Sequence, residues 1–353
     1  MYKLHLVGLF LLITLVGCKS KQHIPDPLTE DNFPFEILDS VQASKAIVVD
    51  KKDGFFENIT PLDMSIQMKF SLNGNESRDA LLESYRSFLQ TEVMDFSEEE
   101  KVFLKKVMIR AMNLCNGMSA NLVPGPVRLI KTRGNHYGDG AFYTREKCIV
   151  IPESDLGNFN EDKFLAILLH ELSHIITRYT PELRDQLYHT IGFEKIITNE
   201  EQLEIPEPLK SHLLSNPDGL SMCYAIRLVK PNGKLFWALP LIHCPYDHYS
   251  TDVNLFFGHL KFELFELDKK ADGRFEVVTN QQGQSTLHIQ EFQDFFEKIG
   301  DNTQYIIHPD EIIAENFYMM ILATHKTAGF SMDNFSDRGK KLINEVKKTV
   351  MAH

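Results

Sequence analysis

The chain has 353 residues, 43% hydrophobic and 24% charged, with a formal net charge of −12 from 37 Lys and Arg against 49 Asp and Glu. These proportions exclude a wholly disordered chain, a collagen and a multi-span membrane protein, and the length allows two compact domains or one catalytic domain with a large insertion. An acidic chain without a Lys/Arg block repels phosphate backbones, so no nucleic acid is expected among its partners.

Lys3 precedes an apolar run over residues 6–16, too short to span a bilayer comfortably and of the length of a signal-peptide core. The run ends in Leu15-Val16-Gly17-Cys18, which resembles a bacterial lipobox. That resemblance implies a signal peptide over residues 1–17 and lipid on Cys18 as the mature N-terminus. The body would then be anchored in a bacterial envelope, periplasmic or on the outer face, without crossing the membrane. Residues 18–34 carry Pro25, Pro27 and Pro34 and read as a flexible tether.

Beyond the tether, residues 76–92 and 98–115 have the period of amphipathic helices, the second opened by a capping box from Ser97 to Glu100. Residues 127–131 alternate as a strand, 134–140 form a Gly-rich loop, and 141–144 and 147–151 read as two short strands. Residues 160–178 form a helix with an acidic first turn, stopped before Pro181. Hairpin texture follows at 224–229, 235–242 and 254–267, with a turn at Pro231-Asn232-Gly233. Helical periodicity returns at 289–299, 309–324 and 336–350. The fold class is mixed α+β, with residues 35–219 as one part of the core, 220–288 as a β-rich insertion and 289–353 as a helical C-terminal part.

Cys115, Cys148, Cys223 and Cys244 are even in number, which an oxidising compartment would allow to pair. Cys223 and Cys244 flank the hairpin and are the first pair to expect, although their register is offset by a few residues. No C-x-x-C occurs, which excludes a zinc ribbon.

His170-Glu171-Leu172-Ser173-His174 is an HExxH sequence in mid-helix. Four residues of helix advance about 6 Å and return nearly to the same face, so both imidazoles can reach one metal ion. Glu171 lies beside them, able to take a proton from an activated water without being a ligand. The chance of such a match somewhere in this chain is about 0.04. Phe164, Leu165, Leu168, Leu169, Leu172 and Ile175 surround the motif with apolar side chains. A helix apolar all round is buried, and two histidines and a carboxylate inside it are costly unless paired or bound to metal.

Two imidazoles leave a zinc site incomplete. Thr177 and Thr180 stand where the extended HExxHxxGxxH pattern needs Gly and His, which excludes the metzincins. The third ligand must come from further along, and the best candidate is the segment His308-Pro309-Asp310-Glu311-Ile312-Ile313-Ala314-Glu315-Asn316. Pro309 suits a first helical turn and puts Glu311 and Glu315 on one face. His308, Asp310 and Glu315 remain rival ligands at this point.

HExxH followed by a helix with two acids four apart resembles the gluzincin branch of the zincin metallopeptidases, and the wording of this segment resembles poorly characterised bacterial HExxH envelope proteins. The resemblance implies a zincin-like core with one Zn2+ per chain, held by His170, His174 and Glu311. It makes Glu315 the acceptor that orients His170, where the family usually has Asp, and Glu171 the general base. It further implies that the strand before the motif helix, with Cys148, Ile149 and Val150, pairs with extended peptide or protein substrate. An oxyanion donor is to be sought among His243, Tyr246, His248, Tyr249 and Tyr305. The expectation is a zinc-dependent peptidase of a bacterial envelope. The alternatives are a zinc hydrolase acting on another bond and an inactive scaffold that kept the fold.

Overall fold

A computed structural model describes residues 34–253 and 255–353. The signal peptide, Cys18 and all of the tether but Pro34 lie outside the described residues. Their strands are β1 Phe35–Ile37, β2 Val93–Met94, β3 Val127–Thr132, β4 Tyr143–Arg145, β5 Cys148–Pro152, β6 Phe193–Lys195, β7 Leu203–Glu204, β8 Tyr224–Val229, β9 Leu235–His243, β10 Lys261–Lys269 and β11 Phe275–Val277. Their helices are α1 Ser40–Ala46, α2 Phe55–Asn58, α3 Pro61–Gln67, α4 Arg78–Glu92, α5 Glu98–Asn116, α6 Glu161–Tyr179, α7 Pro181–Thr190, α8 Glu207–Lys210, α9 Gln293–Ile299, α10 Pro309–Thr324 and α11 Asp337–Ala352.

The first sheet runs β1-β3-β5-β4, with β2 beside the far end of β3. β3 is parallel to both β1 and β5, whereas β4 is antiparallel to β5. Alternation along these strands splits their side chains between two layers. Val127, Leu129, Ile149 and Ile151 face a core built with α5 and α6, and Ile130, Cys148 and Val150 face a second core under α1–α4. β5 is buried at every position, as a strand covered on both faces must be.

The second sheet has the order β6-β8-β9-β10-β11-β7. The expected hairpin of β8 and β9 is present, with Gly233 at φ +81° closing the turn in a conformation that a side chain would strain. Pro240 sits inside β9, opposite Leu264 of β10 but beyond the last paired residue of β8, where its missing N–H interrupts no ladder. This sheet begins at β6, earlier than the expected boundary at residue 220. Its buried residues, among them Ile226, Leu239 and Phe265, join the same core as α6 and α10. The β-rich part is therefore an excursion that packs back onto the helices. The expected strand over 254–267 is in part a turn, since a short 3-10 helix covers Phe256–His259 before β10 starts and Asn254 lies outside the described residues.

Cys115, Cys148, Cys223 and Cys244 are all free, which corrects the expected pairing of Cys223 with Cys244. The pairing of Ile226 with Ala238, continued outward, sets Cys223 across from Leu241, and the two cysteines belong to different cores. No helix among the described residues is long and apolar enough to cross a membrane.

Candidate metal centre

α6 starts at Asn160, whose side chain accepts from Lys163 N, with Glu161 and Asp162 in its first turn facing the positive end of the helix dipole. α10 starts at His308, whose ring accepts from Asp310 N, with Pro309 in the first turn. The two helices pack side by side, and their facing turns bring the expected residues together.

Glu311 is 1% exposed, and its Oε2 stands 3.1 Å from His170 Nε2 and 3.5 Å from His174 Nε2. Its other oxygen accepts from Asn216 Nδ2 at 2.8 Å. Glu315 Oε1 lies 3.1 Å from His170 Nδ1, the relation implied by the resemblance for an orienting carboxylate. One ligand atom from each of His170, His174 and Glu311 lies within 4.8 Å of the others. Ligands on a tetrahedral zinc with bonds of about 2.0–2.1 Å stand about 3.3 Å apart, so the two His–Glu distances fit a shared cation.

Unmatched atoms point the same way. Among the described residues, Glu171 Oε2 and both ring nitrogens of His174 are buried without a hydrogen-bond partner. Two other such atoms, on His136 and Arg145, lie elsewhere, and the Arg145 guanidinium instead rests 3.6 Å from the Phe55 ring centroid. Glu171 Oε2 and His174 Nδ1 have no partner and His174 Nε2 has only the Glu311 oxygen at 3.5 Å, an arrangement that costs several kcal/mol unless a ligand meets it.

Electrostatics favours positive charge at this point. Burial works against a charged His174, but the Glu311 carboxylate prevails and lifts its pKa to about 9. Burial likewise opposes a charged Glu311, and the two histidines hold its carboxyl far below the usual range. A cation bound between them would take over the role of these protons. Glu171 behaves differently: burial, then repulsion from Asp218, raises its carboxyl to about 8, well above the usual carboxylate range.

The centre opens into a cleft of about 440 Å³. Of the five oxyanion candidates, Tyr305 lines it, with its ring stacked near His170 at 6.3 Å between centroids. His243 is turned to Glu263 at 2.8 Å, Tyr246 and Tyr249 pack on His259, and His248 is not among the cleft's lining residues. The rival ligands are also directed elsewhere: Asp310 accepts from Thr177 Oγ1 at 3.3 Å, and His308 caps α10.

One expectation is overturned. Cys148, Ile149 and Val150 cannot receive a substrate strand, because β5 is paired with β3 on one side and β4 on the other. The edge beside the cleft is β4 and the residues just before it, Gly140, Ala141 and Phe142. Even there Asp218 Oδ1 already takes the Thr144 N–H, at 2.6 Å, and the Thr144 hydroxyl, at 2.5 Å.

Asn216 and Asp218 were not expected from the sequence. Asn216-Pro217-Asp218-Gly219 has the composition of a turn, which accounts for its polar residues locally and hides their tertiary role. Gly219 was the available signal, since a side chain there would meet His308 Nδ1 at 2.2 Å. Its absence lets the loop press against the start of α10. Ser215 N donates to the buried Asp63 at 2.7 Å, which ties the same loop to α3.

Comparison with models of protein families, with curated proteins and with solved structures returns no match.

Proposed function

We propose that this chain is a zinc-dependent peptidase, with the metal held by His170, His174 and Glu311. The observation that carries the reading is the convergence on Glu311 of two histidines 141 and 137 residues earlier in the chain, with His174 left without a hydrogen bond of its own. Bound there, zinc would supply a Lewis acid for a scissile carbonyl and lower the pKa of a water. Glu315 fixes the ring of His170 through Nδ1. Asn216 fixes the Glu311 carboxylate through its other oxygen. Glu171 receives the proton of the attacking water at its free Oε2 and returns it to the leaving amine. Tyr305, at the cleft wall beside His170, is the group available to donate to the developing oxyanion.

The test is digestion of an unfolded protein by the purified chain, with and without a chelator, beside a set of simple esters and amides. Peptide cleavage that stops with chelator and returns with zinc supports the proposal. Ester or amide turnover alone would replace it with another zinc hydrolase, and no turnover with zinc bound would leave a scaffold. We further propose, from the segment ending at Cys18, that the body is lipid-anchored in a bacterial envelope. Labelling with a radioactive fatty acid should vanish in Cys18→Ser, and unchanged labelling would remove the anchor from the proposal.

A further inference from the structure

The cleft that opens from the metal centre is not uniformly polar. One wall is the face of α6 one and two turns before His170, carrying Lys163, Ala166 and Ile167. Tyr318 continues the opposite face of α10 beyond Glu311 and Glu315. Two phenylalanines face this space from outside both helices. Phe142 comes from the segment leading into β4 and is braced edge-on by Phe164 at 5.9 Å. Phe257 comes from the connection between β9 and β10, where Phe256 braces it at 5.7 Å.

Phe257 is 49% exposed, and Leu255 beside it 58%, whereas the other phenylalanines among the described residues lie in or against the two cores. An apolar ring left in water at the rim of a cleft gains free energy when a ligand covers it. The charges in the cleft narrow the choice of ligand. Glu171, Asp218, Glu311 and Glu315 line it on the acidic side. Against them stands Lys163, whose amine is already 2.6 Å from Asp155. Asp218 and Glu315 line the cleft outside the proposed ligand set, and their carboxylates oppose an acidic side chain placed beside them.

We propose that the cleft selects peptides by a bulky apolar side chain seated between Phe142 and Phe257, with neutral or basic residues and no acidic ones beside it. This rests on the peptidase reading and adds to it the class of substrate. Phe257 is then a specificity-determining residue supplied by the excursion between the two ligand helices. Because its ring is half in water, its removal leaves both cores intact.

The experiment uses the zinc-loaded full chain and three quenched peptides that differ at one central residue, Phe, Ala or Asp. The native protein should cleave the Phe peptide at least about 10-fold faster in kcat/KM than the Ala peptide, and the Asp peptide more slowly than either. Phe257→Ala should remove most of that preference by slowing the Phe peptide about 10- to 100-fold, far more than it slows the Ala peptide. Phe257→Leu should restore most of it. A preference unchanged in Phe257→Ala, or a native preference for Asp, overturns the proposal. Binding of the same peptides to Glu171→Gln, followed by titration calorimetry, separates the two readings. If native protein cleaves nothing yet this variant holds the Phe peptide more tightly than the Ala peptide through Phe257, the peptidase reading falls and the ligand class stands. Equal binding of all three removes the ligand class.

Discussion

Two buried polar clusters lie one turn apart on α6, and they are built on opposite plans. At Arg178 each guanidinium nitrogen has a partner: Nε the Asp53 carboxylate, Nη1 the Thr144 hydroxyl at 2.8 Å and the Glu146 carbonyl at 3.1 Å, Nη2 the Pro217 carbonyl at 3.4 Å. At His174 neither ring nitrogen makes a hydrogen bond, and the neighbouring Glu171 keeps one oxygen empty. The same helix, with the same burial, satisfies one cluster from within the chain and leaves the other open. A matched cluster fixes positions, here by joining α6 to β4 and to the loop before Asp218. An unmatched one reserves its donor atoms for something from outside.

The contrast can be broken by experiment. Its largest consequence is that His174→Ala or Glu311→Ala should strip zinc from the dialysed protein, where the native chain keeps close to one per molecule by atomic absorption. Retention of zinc by both variants would mean that the open cluster is not a metal centre. Next in size, Glu171→Gln should keep the zinc and lower peptide hydrolysis by about 10²–10⁴-fold, the usual loss of a general base. A variant that lost its zinc instead would place Glu171 among the ligands.

The satisfied cluster should answer in a different currency. Arg178→Ala leaves Asp53 and two carbonyls without their donor, and urea unfolding should show a loss of about 3–5 kcal/mol while zinc stoichiometry is unchanged. Equal damage to metal content and stability would merge the two clusters into one. The smallest effect belongs to Glu315→Ala, which should weaken zinc about 10–100-fold through the freed His170 ring. If that substitution strips the metal and Glu311→Ala does not, the two carboxylates have exchanged roles.

What the sequence discloses follows the range of the interactions. Pro309–Thr324 and Tyr224–Val229 lie where periodicity and turn signals set them, because helix caps and a Gly-closed turn are local devices. His170, His174, Glu311 and Glu315 are readable for the same reason, as each pair lies four apart on one helix. Which strand forms the edge of a sheet is not local, so Cys148–Val150 were assigned a role that their pairing with β3 and β4 forbids. Asn216 reaches Glu311 across 95 residues of chain, and nothing nearby in sequence distinguishes it from an ordinary turn residue. The short helices α1–α3 escape notice because four to seven residues carry too little periodicity to register.

The long excursion between α6 and α10 also sets a timetable. His170 is made 141 residues before Glu311, and the intervening strands join the core on which both helices rest. A chain that emerges N-terminus first therefore exposes its histidine pair while the carboxylate that would complete their grip has yet to be synthesised. On the proposed function, a molecule whose α10 has not docked against α6 lacks the third ligand and cannot cut.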